Sequence, residues 1–170
     1  MDQLPTSTSD LQFIAAELID FDELDGIRAR AFQPIFDSFR NILGNTIYDY
    51  AQAPQEEAQK EWLRGLFNED SAWVIWKVLA VDQLVGFLSV NLDAEKKVGE
   101  IGLNAIDPVF GGQGYGAQMY QYAVDYMKAA GMKVATVGTG GDPSHLPARK
   151  AYRKAGFQAE IPSVWMCQEL

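Results

Sequence analysis

Three runs rich in β-branched and aromatic residues follow one another between residues 71 and 106, and they constrain the fold more than any other part of the chain. The runs read SAWVIWKVLA, LVGFLSVNL and VGEIGLNAI. Only short polar segments separate them, Val81-Asp82-Gln83 and residues 93–97, and both are typical of turns. Because strands joined by short turns pair antiparallel, the sequence predicts a three-stranded antiparallel meander.

The region before the meander predicts a strand followed by a helix. Residues 11–16, LQFIAA, have the composition of a strand. Apolar residues then recur at helical spacing between Leu24 and Phe39. Asp20 and Glu23 resemble a capping box at the start of this helix. Pro34 should kink or divide the helix, because proline removes a backbone donor.

The segments after the meander alternate between helix and strand. An amphipathic helix is expected over residues 116–128, a strand in KVATVGT and a short helix in HLPARKAYRKA. The runs FQAE and SVWMCQ are expected to form closing strands. Together with a further helix that begins near Pro54, this order predicts an α+β fold: a mixed, mostly antiparallel sheet flanked by helices.

The composition favours one globular domain spanning residues 1–170. The hydrophobic fraction is 48%, which is typical of a chain that buries a core. The net charge of -9 argues against a nucleic-acid partner, since binding to a phosphate backbone relies on clustered Lys and Arg. The same charge weakly favours the approach of a cationic or neutral substrate.

One cysteine and one histidine leave no internal disulfide and no Cys- or His-rich metal site, so no metal is expected. Cys167 lies in an apolar, strand-like run and is expected to be buried. The first ten residues lack the basic and apolar regions of a signal peptide. No apolar run reaches the roughly 20 residues of a membrane span. A cytoplasmic protein without a membrane partner is therefore expected.

The segment GGQGYGA, residues 111–117, is the densest glycine stretch of the chain. Its spacing Gly112-x-Gly114-x-x-Ala117 matches a dinucleotide-binding fingerprint. A dinucleotide fold, however, opens with this fingerprint and continues through alternating strands and helices. Here the segment follows a meander, and too few residues come after it for such a sheet. The dinucleotide interpretation is therefore disfavoured.

Two other interpretations of the glycine segment stay open on its sequence alone. Glycines allow backbone N–H groups to converge, and the helix that follows adds the positive end of its dipole. Such a loop holds a pyrophosphate without any Lys or Arg. Alternatively, the glycines only permit the positive φ angles of a tight turn.

A second motif, HLPARKAYRKAGF over residues 145–157, decides between these interpretations. Its Ala148, Tyr152 and Gly156-Phe157, together with GLNAIDPVFGGQGYGAQMY upstream, resemble the GNAT superfamily of acyl-CoA-dependent N-acetyltransferases. The resemblance covers residues 71–160 and is weaker in the N-terminal helices. Gly111 stands where the family usually has Gln or Arg, and His145 stands where it usually has Asn.

The resemblance implies acetyl-CoA as co-substrate, with the glycine loop holding its pyrophosphate. It also implies that backbone groups at the end of the third meander strand bind the pantetheine arm, with one of them stabilising the developing oxyanion. The resemblance also implies a polar contact from His145 to this arm. The expected cofactor-binding residues are Ala105, Ile106, Gly111, Gly112, Gln113, Gly114, Tyr115, Gly116, Ala117 and His145.

The expected catalytic residues are Tyr152 and Glu100. The resemblance places Tyr152 where the family often has the general acid that protonates the departing thiolate; a core-facing aromatic is the alternative. Strand alternation puts Glu100, Gly102, Asn104 and Ile106 on one face. Glu100 is then a candidate base or a solvated residue, and Asn104 an acceptor ligand or a partner of the local backbone.

The stretch GNTIYDYAQAP, between the N-terminal helices, is expected to cover the acceptor site. Tyr48 and Asp49 are its candidate contacts, and Asp49 would suit a cationic acceptor. Asp142, Ser144 and His145 have the residue types of a hydrolase triad, but near neighbours rarely converge in that geometry. A cap on the helix that follows is the preferred role for Asp142 or Ser144.

The function expected from the resemblance is transfer of an acetyl group from acetyl-CoA to a primary amine. The amine belongs to a small molecule or to a protein, and it attacks directly within a ternary complex. The alternative is a domain of the same fold that binds acyl-CoA as a sensor or interaction module without turnover. The resemblance is also compatible with a homodimer, for which the sequence assigns no surface.

Overall fold

A five-stranded sheet in the order β1-β2-β3-β4-β5 forms the centre of the computed structural model, which describes residues 11–170. The first four strands pair antiparallel, and β5 pairs parallel to β4. This arrangement confirms the predicted meander and the mixed, mostly antiparallel sheet. The strands are β1 Leu11–Ala15, β2 Trp73–Ala80, β3 Gln83–Asp93, β4 Val98–Ile106 and β5 Val134–Val137.

Within the described residues 11–170, four α-helices flank the sheet, and three short 3-10 turns connect elements. The helices are α1 Phe21–Ala51, α2 Ala53–Gly65, α3 Tyr115–Ala129 and α4 Leu146–Lys154. The 3-10 turns are Leu18–Asp20, Pro108–Phe110 and Pro143–His145. The sequence predicts that helices start near Pro54, directly after the glycine segment and near His145. The structure confirms all three. Within residues 11–170, no helix has both the length and the apolar composition to cross a membrane.

The two faces of the sheet carry separate apolar clusters, because successive strand residues point to opposite sides. Leu88 belongs to the cluster that packs against α3 and α4 through Met119 and Tyr152. Its neighbour Phe87 belongs to the cluster that packs against α1 and α2 through Leu24 and Leu63. All six of these residues are buried. The sheet is therefore covered by helices on both faces.

A β-bulge in β4 changes the face of every residue that follows it. Leu88 pairs with Asn104, whereas Val90 pairs with Ile101, so β4 advances three residues where β3 advances two. Ile101 consequently packs in the cluster of α3, while Leu103 packs in the cluster of α1. An extra residue of this kind is the defining property of a bulge.

The bulge makes one prediction wrong. Strict alternation placed Glu100 and Asn104 on one face of the strand, but they lie on opposite faces. Glu100 lies on the side of α1, because its neighbour Ile101 packs toward α3. Asn104 lies on the side of α3, where it binds Tyr120.

A cleft opens where β4 and β5 part. Their pairing covers Val98 to Ile101 of β4 and ends at Val137 of β5. The remaining residues of β4, 102–106, have no neighbour on this side among the described strands. They line a cleft together with Gly138 and Thr139, the residues that follow β5.

Two expectations about the first helix are wrong. Asp20 does not cap α1; its carboxylate accepts a hydrogen bond from the backbone N–H of Glu17 (2.9 Å) and so closes the 3-10 turn before the helix. Pro34 lies inside α1, and the non-helical dihedrals occur instead at Gly44 (φ 75°, ψ 168°). Glycine adopts this positive φ without the steric cost of a Cβ.

The predicted closing strands are also wrong. After Lys154, none of the described residues belongs to a helix or strand. Cys167, expected to be buried, is exposed, and so is Trp165. Period-two apolar patterning favours a strand, but whether the strand forms depends on its pairing with a sheet, and these segments pair with none of the described strands.

Candidate active site

The cleft at the parting of β4 and β5 has a volume of about 950 Å³. The second half of β4, the glycine segment, the start of α3 and helix α4 line one part of it. Residues of α1 and α2 line the other part. The cleft therefore brings together the two motifs of the sequence and the N-terminal helices.

Asp107 holds the backbone in place between the end of β4 and the glycine segment. Its backbone N–H donates to the carbonyl oxygen of Val85 (2.8 Å), and its Oδ1 accepts from the N–H of Val109 (3.2 Å). Its Oδ2 accepts from Nη2 of Arg30 in α1 (2.5 Å). The hydrogen bond from Arg30 is the main reason that the pKa of this 5% exposed carboxyl is lowered. Sequence reasoning missed this ion pair.

The glycine segment leads directly into α3. Gly112 and Gly114 have φ angles of 77° and 80°, which L-residues rarely adopt. Gly114 caps the helix, and its carbonyl oxygen accepts the N–H of Gln118 (3.3 Å). The N–H groups of the first helical turn precede this bond and have no intrahelical acceptor. Together with the positive end of the helix dipole, they suit a phosphate group.

The expected cofactor-binding residues collect in the cleft with one exception. Gln113 is exposed and is not among the residues that line it. Gly111 has a φ of -61°, so its backbone does not require glycine. The residues that do line the cleft are Ala105, Ile106, Gly111, Gly112, Gly114, Tyr115, Gly116, Ala117 and His145.

Tyr152 is part of a hydrogen-bonded cluster at the buried side of the cleft. Its oxygen accepts from Nδ2 of Asn104 (3.2 Å), and the Tyr120 hydroxyl donates to Oδ1 of Asn104 (2.8 Å). The rings of Tyr120 and Tyr152 stack with centroids 4.1 Å apart. Asn104 also donates to the carbonyl oxygen of Gly102 (2.9 Å). Tyr120 lies on the apolar face of α3. The sequence did not identify it as a residue of the site.

The surroundings of Tyr152 keep its hydroxyl protonated at neutral pH. The residue is 6% exposed, and burial raises its pKa above the ordinary value of 10.0. The neighbouring Tyr120 hydroxyl and the hydrogen bond from Asn104 act in the opposite direction without outweighing burial. The hydrogen bond from Asn104 would stabilise the phenolate once the proton leaves.

Glu100 lies on the other face of β4 from this cluster. Its side chain is exposed and lines the cleft. Among the described residues that line the cleft, Glu100 has the only carboxylate. A carboxylate in contact with solvent exchanges protons with water directly, as a general base requires.

His145 belongs to a second polar cluster, at the start of α4. Its Nδ1 lies 2.5 Å from Oδ1 of Asp142, and its ring stacks on Phe39 with centroids 5.9 Å apart. Asp142 accepts from the N–H of Ser144 (3.0 Å) and so caps the 3-10 turn Pro143–His145, whereas α4 itself has no side-chain cap. Burial would raise the pKa of Asp142, but hydrogen bonds from Ser144 and His145 outweigh it and the pKa is lowered.

This cluster does not have the geometry of a hydrolase triad. In a triad, histidine lies between the serine and the carboxylate and accepts the serine proton. Here the Ser144 hydroxyl donates to Asp142, and its oxygen is 3.4 Å from Nδ1 of His145, the nitrogen that Asp142 already binds. The serine is therefore held as part of the cap.

Tyr48 and Asp49 do not line the cleft. The stretch that contains them begins at the break in α1 at Gly44 and is then helical up to Ala51. Tyr48 is 2% exposed and donates to Glu56, and burial is the main cause that raises its pKa to about 12. Asp49 forms an ion pair with Arg40 (2.8 Å). The structure thus uses both side chains to join α1 and α2 and to stabilise α1.

Solved structures with a similar fold are acetyltransferases. An aminoglycoside acetyltransferase from an uncultured soil metagenomic sample, crystallised with sisomicin, has a TM-score of 0.59 and 18% identity, with 95% of this chain and 97% of that chain covered. PaiA N-acetyltransferase from Thermoplasma acidophilum, in complex with coenzyme A, has a TM-score of 0.67 and 15% identity, with 90% and 92% covered. YycN from Bacillus subtilis, a protein assigned as an acetyltransferase by its crystallographers, has a TM-score of 0.66 and 19% identity, with 94% and 98% covered. At these identities the likeness concerns the fold.

No curated protein sequence matches the chain. The model of the acetyltransferase (GNAT) family, in contrast, matches residues 34–157. The match contains the second half of α1, the cleft, the glycine segment and Tyr152, so it covers most of the elements that build the site. The chain belongs to the GNAT family of acetyltransferases.

Proposed function

We propose that the protein is an acetyl-CoA-dependent N-acetyltransferase that acts on a primary amine of a small molecule. One observation carries the proposal: a single cleft contains both an anion-binding loop and a buried, protonated tyrosine. The loop comprises Gly112, Gly114 and the first turn of α3, and the tyrosine is Tyr152. The first feature suits the pyrophosphate of a coenzyme A thioester, and the second suits a thiolate leaving group.

The residues of the cleft fit the parts of acetyl-CoA in order. The backbone of the glycine segment and the start of α3 suit the pyrophosphate. Lys150 and Lys154 line the same cleft and add positive charge to an otherwise acidic protein. The half of β4 over residues 102–106 presents a strand edge, whose backbone groups match the amides of a pantetheine arm. Structures of similar fold that were crystallised with coenzyme A support this assignment.

In the proposed reaction, the amine nitrogen attacks the thioester carbonyl carbon. A carbon–nitrogen bond forms, the carbon–sulfur bond breaks, and Tyr152 gives its proton to the departing sulfur. Glu100 removes a proton from the amine, directly or through water. The hydrogen bond from Asn104, which Tyr120 in turn holds in place, supports the phenolate that Tyr152 becomes.

Binding of acetyl-CoA should stabilise the protein, and NAD(H) should not. At a hundredfold excess over its Kd, a ligand adds about 2.7 kcal/mol to stability. For a chain of this length that corresponds to a rise in Tm of roughly 5–10 °C. Differential scanning fluorimetry with acetyl-CoA, coenzyme A and NAD(H) measures the shift, and mass spectrometry of the products from an amine panel measures transfer.

The outcomes of this experiment separate the alternatives. Stabilisation by acetyl-CoA together with acetylated products supports the enzyme. Stabilisation by acetyl-CoA without acetylation of any amine would favour an acyl-CoA-binding module that lacks turnover. Stabilisation by NAD(H) alone would restore the dinucleotide interpretation of the glycine segment.

We also propose that the protein forms a homodimer through its C-terminal segment, residues 161–170. The large apolar side chains of this segment are more than half exposed in the isolated chain: Ile161, Val164, Trp165, Met166 and Leu170. At the same time, the outer edge of β5 pairs with no other described strand. The chain thus carries an apolar, β-favouring segment and an open strand edge that do not pair with each other. Pairing between two copies would satisfy both.

A Trp165→Lys substitution should therefore dissociate the dimer. Light scattering after size exclusion is expected to give twice the chain mass of 18.9 kDa for the wild type and the monomer mass for the variant. Ile42→Lys is the matched control, because Ile42 is 60% exposed on α1 and is comparably apolar. A monomeric wild type at high protein concentration, or dissociation by the control alone, would contradict the proposal.

A further inference from the structure

The part of the cleft that α1 and α2 line is an apolar wall. Acetyl transfer by itself does not require such a wall. Phe32, Ile35, Phe36 and Phe39 line the cleft from one stripe of α1, at the spacing of one helix face. Trp62 of α2 lines it as well and is 47% exposed. Half-exposed aromatic groups that line a cleft typically contact a ligand.

Negative charge in the cleft is limited to a single side chain. Glu100 is the one carboxylate that lines the cleft within the described part of the chain. The cations that line it, Lys150 and Lys154, come from α4 on the side of the glycine segment. An acceptor with one ammonium group finds one counter-charge here, whereas a second ammonium group would lie against aromatic and aliphatic carbon.

Gln59 of α2 supplies an unused hydrogen-bond acceptor beside this wall. Its side chain lines the cleft, and its Oε1 is buried without a donor among the described residues. Leaving a buried carbonyl oxygen unsatisfied costs about 1–3 kcal/mol. An N–H of the acceptor amine, reached by a rotation of the amide group, would remove this cost.

We infer that the acceptor is a primary amine with a single positive charge and an apolar body, rather than a polyamine or another polycation. The inference rests on the proposed acetyl transfer and concerns the same cleft. Glu100 and Gln59 receive the amino group, and the stripe of α1 together with Trp62 receives the apolar body. A second ammonium group would lose hydration against this wall and would gain only a cation–π contact there, with no carboxylate partner, which is costly.

Hexylamine and cadaverine test the inference as a matched pair. They have the same number of heavy atoms, and cadaverine carries an ammonium group where hexylamine ends in a methyl group. We expect kcat/KM with acetyl-CoA to be at least about tenfold higher for hexylamine, since burying an unpaired charge costs more than the 1.4 kcal/mol that this ratio represents. Trp62→Ala should narrow the ratio, and Ile42→Ala, which alters an exposed side chain outside the cleft, should preserve it.

Each outcome bears on a separate statement. If cadaverine is acetylated as well as or better than hexylamine, the inferred acceptor class is wrong and the acetyl transfer stands. If neither amine is acetylated but another amine of the panel is, the inferred acceptor class is wrong and the proposed function stands. If no amine of the panel is acetylated although acetyl-CoA binds, both fail. If Trp62→Ala and Ile42→Ala change the ratio equally, the wall of α1 and α2 does not select the acceptor.

Discussion

A Tyr152→Phe variant is expected to lose about two to four orders of magnitude in kcat, while its acetyl-CoA affinity changes less than about threefold. The substitution removes only the hydroxyl group that would protonate the thiolate. The ring of Tyr152 continues to stack on Tyr120 and to pack beside Phe157. Steady-state kinetics with a thiol-detecting reagent gives kcat, and isothermal titration calorimetry gives the affinity.

Tyr120→Phe is the control for this prediction. Tyr120 is as buried as Tyr152 and stacks on it, and its hydroxyl belongs to the same cluster. Because Tyr120 supports the acid through Asn104 and does not itself protonate the sulfur, its loss should reduce kcat by less than about tenfold. A Tyr152→Phe enzyme that keeps kcat within threefold would refute the acid role, and equal losses in both variants would indicate a structural role for the pair.

Gly114→Ala is expected to raise the Kd for acetyl-CoA by about tenfold. Gly114 has a φ of 80°, and the left-handed conformation costs an L-residue about 1–2 kcal/mol. This strain favours loop conformations in which the N–H groups no longer converge. Acetyl-CoA must restore the bound conformation, so the affinity falls by the corresponding free energy. Calorimetric titration of the variant measures the change.

Gly131→Ala separates this effect from simple destabilisation. Gly131 follows α3 at its other end, with a φ of 79°, and at either glycine an added Cβ has no atom within 4 Å. Both variants should lower Tm by a few degrees, as expected for about 1 kcal/mol in a chain of this length. Only Gly114 lines the cleft, so only its variant should bind acetyl-CoA more weakly. Equal weakening in both would show that the loss is not local to the loop.

The parts of the site that could be predicted depend on local sequence. The turn at Gly114 requires a positive φ, which glycine tolerates best, and the helix after it has an apolar period that a single window reveals. Tyr152 follows the glycine loop at a spacing typical of the family, and it lies in the cleft with that loop. The meander could be predicted for the same reason, because its turns are short.

The parts that could not be predicted depend on contacts between distant residues or on register. Arg30 and Asp107 are far apart in the sequence, and neither neighbourhood signals the other. The bulge in β4 adds one residue to a ladder, and period-two patterning does not reveal it. The apolar run around Trp165 has the pattern of a strand but no paired edge in its own chain.

Because of its bulge, β4 has a solvent-exposed side chain on one face and a buried polar cluster on the other, both beside the proposed reaction site. Glu100, before the bulge, faces solvent, whereas Asn104 and the Tyr152 that it binds lie beyond it in the buried cluster. In the proposed reaction, the proton taken from the amine leaves into bulk water, while the proton given to sulfur comes from a buried site. The backbone of β4 separates the proposed base from the proposed acid. Without the extra residue of the bulge, Glu100 and Asn104 would lie on the same face of the strand.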